Sequence, residues 1–107
     1  MKVARERNIF GLTGRDMSTL DTIFRKYPVV QTVFIFGSRA KGNYKLGSDI
    51  DLAVMNPGVD EAIVLQIKGE LEESTLAYNV DVVNYPALLI NDLKEHIEQV
   101  GVRFYGK

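Results

Sequence analysis

At 107 residues, 46% apolar and 25% charged, the chain is sized for one globular domain with a single core and little room for a second lobe. A net charge of −1 argues against a general nucleic-acid binder, and the lack of cysteine excludes disulfides, thiolate metal sites and cysteine nucleophiles. No apolar run approaches the roughly 20 residues that span a bilayer, and the basic opening "MKVARERNIF" lacks the apolar stretch of a signal peptide, so the expectation is a cytoplasmic protein without a membrane.

In chain order, Thr13 with Asp16 three positions on predicts a helix start, and Met17, Leu20, Phe24 and Tyr27 recur at helical spacing until the helix stops near Pro28. "VVQTVFIF", Val29 to Phe36, is rich in β-branched and aromatic residues and stops at Gly37, as a central strand would. After a short link, "SDIDLAVM", Ser48 to Met55, predicts a second strand that ends at the turn signal Asn56-Pro57-Gly58. A helical pattern runs from Val59 to about Leu76 with Ile63, Ile67 and Leu71 on one face. "NVDVVNY", Asn79 to Tyr85, predicts a third strand, and Pro86 suits the first turn of a last helix with Leu89, Ile90, Leu93, Ile97 and Val100 turned inward. "VRFY" closes the chain as a short edge strand. The expected fold class is α/β (α+β): a small mixed β-sheet flanked by helices, in one domain over residues 1–107.

The chemistry lies in "FIFGSRAKGNYKLGSDIDLAV". Residues two apart on a strand share a face, so Asp49 and Asp51 project together while Ile50 and Leu52 face the other way. Two carboxylates this close repel unless one takes a proton or a divalent cation sits between them. Oxygen ligands suit Mg²⁺ or Mn²⁺, and with no cysteine and one histidine a zinc site has almost nothing to draw on. Asp81 puts a third acid into an apolar strand that can lie beside the first two. Three converging acids could hold two ions at the spacing that suits in-line phosphoryl displacement, about 3.5–4 Å. Gly37 and Ser38 offer a closely approaching backbone and a hydroxyl to phosphates, and Arg39 and Lys41 add positive charge.

Each part alone is weak. "GSRAKG" is neither the P-loop nor the dinucleotide fingerprint, and "DIDLAVMNPGVDE" fails the calcium-loop spacing. Other polar residues read blandly: His96 as a solvated position off the apolar helix face, Tyr44 and Lys45 as exposed loop, "GELEE" as a solvated helix face, and Tyr78, Tyr85 and Tyr105 as core.

The conjunction is more specific. Gly37-Ser38, ten intervening residues, Asp49-Ile50-Asp51 with apolar flanks, and a later Asp81 on a strand resemble the signature of the polymerase β nucleotidyltransferase superfamily. The small size is similar to its minimal nucleotidyltransferases (MNT), commonly paired with an all-helical HEPN partner in toxin–antitoxin modules. The resemblance implies that Asp49 and Asp51 hold Mg²⁺ (or Mn²⁺) ions and that Asp81 completes the site on the acceptor side. It further implies that Ser38 and Gly37 cradle the phosphates of ATP, with weaker roles for Arg39 and Lys41. The implied reaction is AMP transfer to a tyrosine of a HEPN-type toxin, silencing it. The acceptor surface is then expected from a second protein or from a homodimer. Two alternatives stand beside this: a non-catalytic module that neutralises a helical partner by contact, and an aminoglycoside-type small-molecule nucleotidyltransferase.

Overall fold

The computed structural model describes residues 6–106. Helix α1 (Gly14–Arg25) starts at a reciprocal capping box: the Asp16 amide donates to Thr13 Oγ1 and the Thr13 amide donates to the Asp16 carboxylate, both at 3.0 Å. These two bonds satisfy amides that the first helical turn leaves without partners. The apolar spacing that follows buries Leu20, Ile23 and Phe24, and the helix ends two residues before Tyr27.

Strand β1 (Thr32–Phe36) begins three residues later than its apolar run, because the Val30 amide closes a turn back to the Tyr27 carbonyl and Val30 is used as a buried plug. The link after β1 holds a five-residue helix, α2 (Gly37–Lys41), where the sequence suggests only a turn. Strand β2 (Ile50–Val54), helix α3 (Glu61–Glu72) and strand β3 (Val80–Asn84) follow within the expected segments. Val59 is a buried anchor ahead of α3 rather than part of it, and Val64 joins Ile67 and Leu71 on the buried face.

Pro86 departs from expectation. It lies in a single 3-10 turn (Tyr85–Ala87), and the last helix, α4 (Asn91–Val100), starts only at Asn91. Leu88 leaves that turn extended, so Leu89 and Ile90 are 93% and 62% exposed instead of facing inward. Within α4, Ile97 is buried and Leu93 and Val100 pack beside it, as the spacing predicts. The chain then forms strand β4 (Val102–Gly106), the anticipated edge strand.

The sheet order is β3-β2-β1-β4; β1 pairs antiparallel with both β2 and β4, whereas β2 and β3 run parallel. Alternation along the strands separates two faces. Val33, Ile35, Leu52, Val54 and Val82 meet α1 and α3 in the main core, which includes the fully buried Phe24. Phe36, Ala53 and Ile97 form a much smaller cluster under α4 on the other face. α1 and α3 are also tied at the surface, where Lys26 Nζ reaches Glu70 at 2.7 Å and Tyr27 donates to the same carboxylate. Among the described residues no helix is long and apolar enough to cross a membrane.

Candidate active site

The sheet register brings the acids together. Phe36 at the end of β1 is the partner of Asp51, and Asp51 is the partner of Asp81 across the parallel β2–β3 pair. Register partners project to the same side, so the side chains of Phe36, Asp51 and Asp81 form one row on the face that carries α4. Asp49 precedes β2 in the loop from α2, two residues before Asp51. Asp51 is half-buried, while Asp49 and Asp81 are exposed.

Gly37 closes the same end. Its φ of +73° is one that side chains rarely adopt, and a Cβ there would collide with Asp51 Oδ2. Glycine is therefore needed twice, for the turn out of β1 and for room beside the carboxylate. Ser38 and Lys41 lie on α2 directly after it, Ser38 half-buried and Lys41 exposed.

Burial pushes the Asp51 carboxyl above its ordinary range, and the negative charges of Asp81 and Asp49 push it further. His96 acts in the opposite sense on Asp51 from α4, where its imidazole stands edge-on to Phe36 with 5.9 Å between ring centroids. The sequence places His96 on the solvent side of its helix. Its nearness to the site depends on where α4 crosses the sheet, which no periodicity encodes.

Among the described residues no Lys or Arg forms an ion pair with Asp49, Asp51 or Asp81, and no three His, Cys, Asp or Glu side chains are grouped closely enough to hold a metal ion together. The chemistry of the donor set suits a hard dication: all its atoms are carboxylate oxygens, and burial together with the neighbouring acids disfavours the charged form of Asp51, which a cation would favour. An Asp51→Asn chain checks this without any activity. Because the folded pKa is raised, the stabilising contribution is complete below the ordinary value of 3.8 and is lost as pH rises through the folded value. Thermal denaturation in chelator at pH 7 should show Asp51→Asn melting above wild type, with the gain closing as pH falls to the ordinary carboxyl value of 3.8 and below.

Arg39 corrects an expectation. It is only 2% exposed and does not reach toward phosphates. Its Nε and Nη2 both donate to the Ser48 carbonyl, at 3.1 and 2.9 Å, and Nη1 donates to the Phe10 carbonyl at 2.8 Å. The rings of Tyr44 and Tyr78 lie 5.1 and 4.6 Å from the guanidinium carbon, so Tyr44 is not merely an exposed loop residue. A delocalised cation tolerates this burial because three carbonyl contacts and two π faces replace water.

A cleft of about 570 Å³ runs beside the acids, lined in part by Asp49, Asp81, Glu72, Tyr78 and Asn79. Its lining does not include Asp51, Gly37, Ser38 or Lys41, so the cleft adjoins the row of acids rather than containing it.

The sequence profile described as "Polymerase beta, Nucleotidyltransferase" matches residues 18–107. The chain belongs to the polymerase β nucleotidyltransferase family. Within this family it is 32% identical over 92 residues to the probable protein adenylyltransferase MntA of Haemophilus influenzae, covering 85% of this chain and 80% of that protein. Several solved structures share the fold, toxin–antitoxin complexes among them. A toxin–antitoxin structure with AMP-PNP superposes with a TM-score of 0.69 at 23% identity, over 86% of this chain and 74% of that one. The MNT antitoxin complex with the tri-AMPylated HEPN toxin of Shewanella oneidensis gives a TM-score of 0.63 at 22% identity, over 85% and 70% of the two chains. The expected α+β nucleotidyltransferase fold is thus the observed one.

Proposed function

We propose that this protein transfers AMP from ATP, with Mg²⁺ or Mn²⁺, to a tyrosine hydroxyl of a HEPN-type helical partner and so serves as the antitoxin of a two-protein module. The observation that carries this reading is the row formed by Asp51 and Asp81 with the Gly37 turn pressed against Asp51. The relationship to a probable protein adenylyltransferase and the shared fold with an MNT antitoxin supply the reaction class and the kind of acceptor.

Asp49 and Asp51 would hold the dication, and Asp81 would complete its shell on the acceptor side. A dication held there would supply charge neutralisation at the α-phosphate and would acidify the acceptor hydroxyl. The chain's own residues do the rest. Gly37 lets the backbone approach the outer phosphates, Ser38 offers its hydroxyl to them, and Lys41 offers charge from the exposed face of α2. Asp81, exposed at the sheet edge, takes the acceptor proton as the new bond from oxygen to the α-phosphorus forms. The bond from the α-phosphorus to the bridging oxygen breaks, and pyrophosphate leaves.

The test is transfer of label from ATP carrying it in the α-phosphate to the protein encoded by the adjacent gene, comparing wild type with Asp49→Asn. Label on a partner tyrosine with wild type only is the expected result. Equal inhibition of the partner by both chains with no label transferred would instead mean neutralisation by contact alone.

A further inference from the structure

Asp51 and Asp49 are held in position by different means. Asp51 belongs to the β2 ladder and is fixed by pairing on both sides, to Phe36 and to Asp81. Asp49 lies one residue outside that ladder, at the end of the loop from α2, and is exposed. The distance between the two carboxylates therefore depends on what holds the loop. Inside the loop, the Lys45 amide donates to Ser48 Oγ at 2.8 Å and the Ser48 amide to the Lys45 carbonyl at 3.0 Å, which shape a local turn without attaching it to the domain. After Asp49 the Ile50 amide donates to the Asn79 carbonyl at 2.9 Å; before it, among the described residues, the hold is the forked contact of Arg39 with the Ser48 carbonyl.

The same guanidinium grips the carbonyl of Phe10 in the segment leading into α1, and its own backbone stands two residues after Gly37. It also lies over the ring of Tyr44, from the loop itself, and over the ring of Tyr78, which lines the cleft together with Asp49 and Asp81. One buried side chain thus joins the phosphate turn, the loop that presents Asp49 and the wall of the cleft. Among the described residues no carboxylate pairs with it, so its charge is committed to carbonyl oxygens and π faces. Lysine cannot reproduce this arrangement, because an ammonium has no planar fork to place two donors on one carbonyl while a third nitrogen reaches Phe10, and no planar face to stack on a ring.

We infer that Arg39 is a positioning residue of the transfer reaction: it sets the place of Asp49 relative to Asp51 and Gly37, and so governs dication affinity without touching the substrate. This inference rests on the proposed function. In the full chain, Arg39→Lys should stay folded but take up Mn²⁺ at least ten-fold more weakly in the presence of AMP-PNP, read as loss of the free Mn²⁺ resonance signal. The amides of residues 45–50 should exchange faster in the metal-free variant. In the labelled transfer assay the KM for the metal–nucleotide complex should rise more than kcat falls. Asp49→Asn combined with Arg39→Lys should bind Mn²⁺ no more weakly than Asp49→Asn alone, because both changes remove the same ligand from its place.

The outcomes separate cleanly. Wild-type chain that takes up no Mn²⁺ with AMP-PNP overturns the proposed function and this role together. Wild-type uptake matched by Arg39→Lys overturns the positioning role alone, as do losses that multiply in the double variant. Should Arg39→Lys fail to fold, Tyr44→Leu, which strips one ring from the guanidinium, carries the same comparison with an expected three-fold loss of Mn²⁺ affinity, and unchanged affinity overturns the role.

Discussion

Asp51→Asn and Asp81→Asn are expected to abolish AMP transfer by different routes. Asp51 is the half-buried member of the row, flanked by the other two acids and by Gly37, so its loss removes the centre of the proposed dication site. With it should go the stabilisation that ATP and Mg²⁺ confer on the wild-type chain, about 2.7 kcal/mol at a ligand concentration 100 times the dissociation constant. Asp81 lies at the exposed end of the row on β3, the strand at one edge of the sheet. Its replacement should leave most of that thermal shift in place while transfer falls by about three orders of magnitude, since its proposed task is to receive the acceptor proton and complete the shell only on that side. The two measurements, melting with ATP and Mg²⁺ and label transfer to the partner, distinguish the residues. An Asp81→Asn chain with normal transfer would remove Asp81 from the chemistry, and an Asp51→Asn chain that keeps its ligand-induced shift would place the nucleotide elsewhere.

Gly37→Ala is expected to be nearly as damaging to transfer, through displacement of a neighbour. The added methyl group meets Asp51 Oδ2, the mobile end of a side chain, so the carboxylate must move while the sheet stays intact. Displacement of a reacting constellation by about 1 Å is worth about 100-fold in rate. Gly42→Ala is the control. Gly42 has φ +87°, so alanine there incurs comparable backbone strain, on the order of 1–2 kcal/mol, but its Cβ would point into open space. Both variants should melt several degrees lower. Only Gly37→Ala should lose transfer and the thermal response to ATP with Mg²⁺, and equal activity in the two variants would mean that the contact between Gly37 and Asp51 is unimportant.

Much of the fold was legible because its signals are local. Thr13 and Asp16 cap one another across three residues, Leu20 and Phe24 repeat at helical spacing, and the strand segments carry β-branched residues between turn signals. The pairing of Asp51 with Asp81 was legible for a different reason: a carboxylate inside an apolar strand has few tolerable environments, and two such strands suggest a shared one. Arg39 is not legible, because the sequence records its charge but not its partners, which are main-chain carbonyls of Phe10 and Ser48, 29 and 9 positions away, and any residue type could supply them. His96 lies off the apolar face of its helix, so its spacing gives no sign of the Phe36 ring and the Asp51 carboxyl beside it. Leu89 and Ile90 fit α4 by hydrophobicity and by Pro86 as a first-turn residue, whereas Pro86 sits inside the turn Tyr85–Ala87, which ends before the helix forms.

The position of β3 at the margin of the sheet has a final bearing on the proposed transfer. An acid on an outermost strand has no further strand beyond it to limit what comes alongside, so a hydroxyl carried on a whole folded protein can be presented sideways without prying the domain apart. Discrimination among hydroxyls must then come from how the two proteins fit together, and water is shut out only while they are engaged.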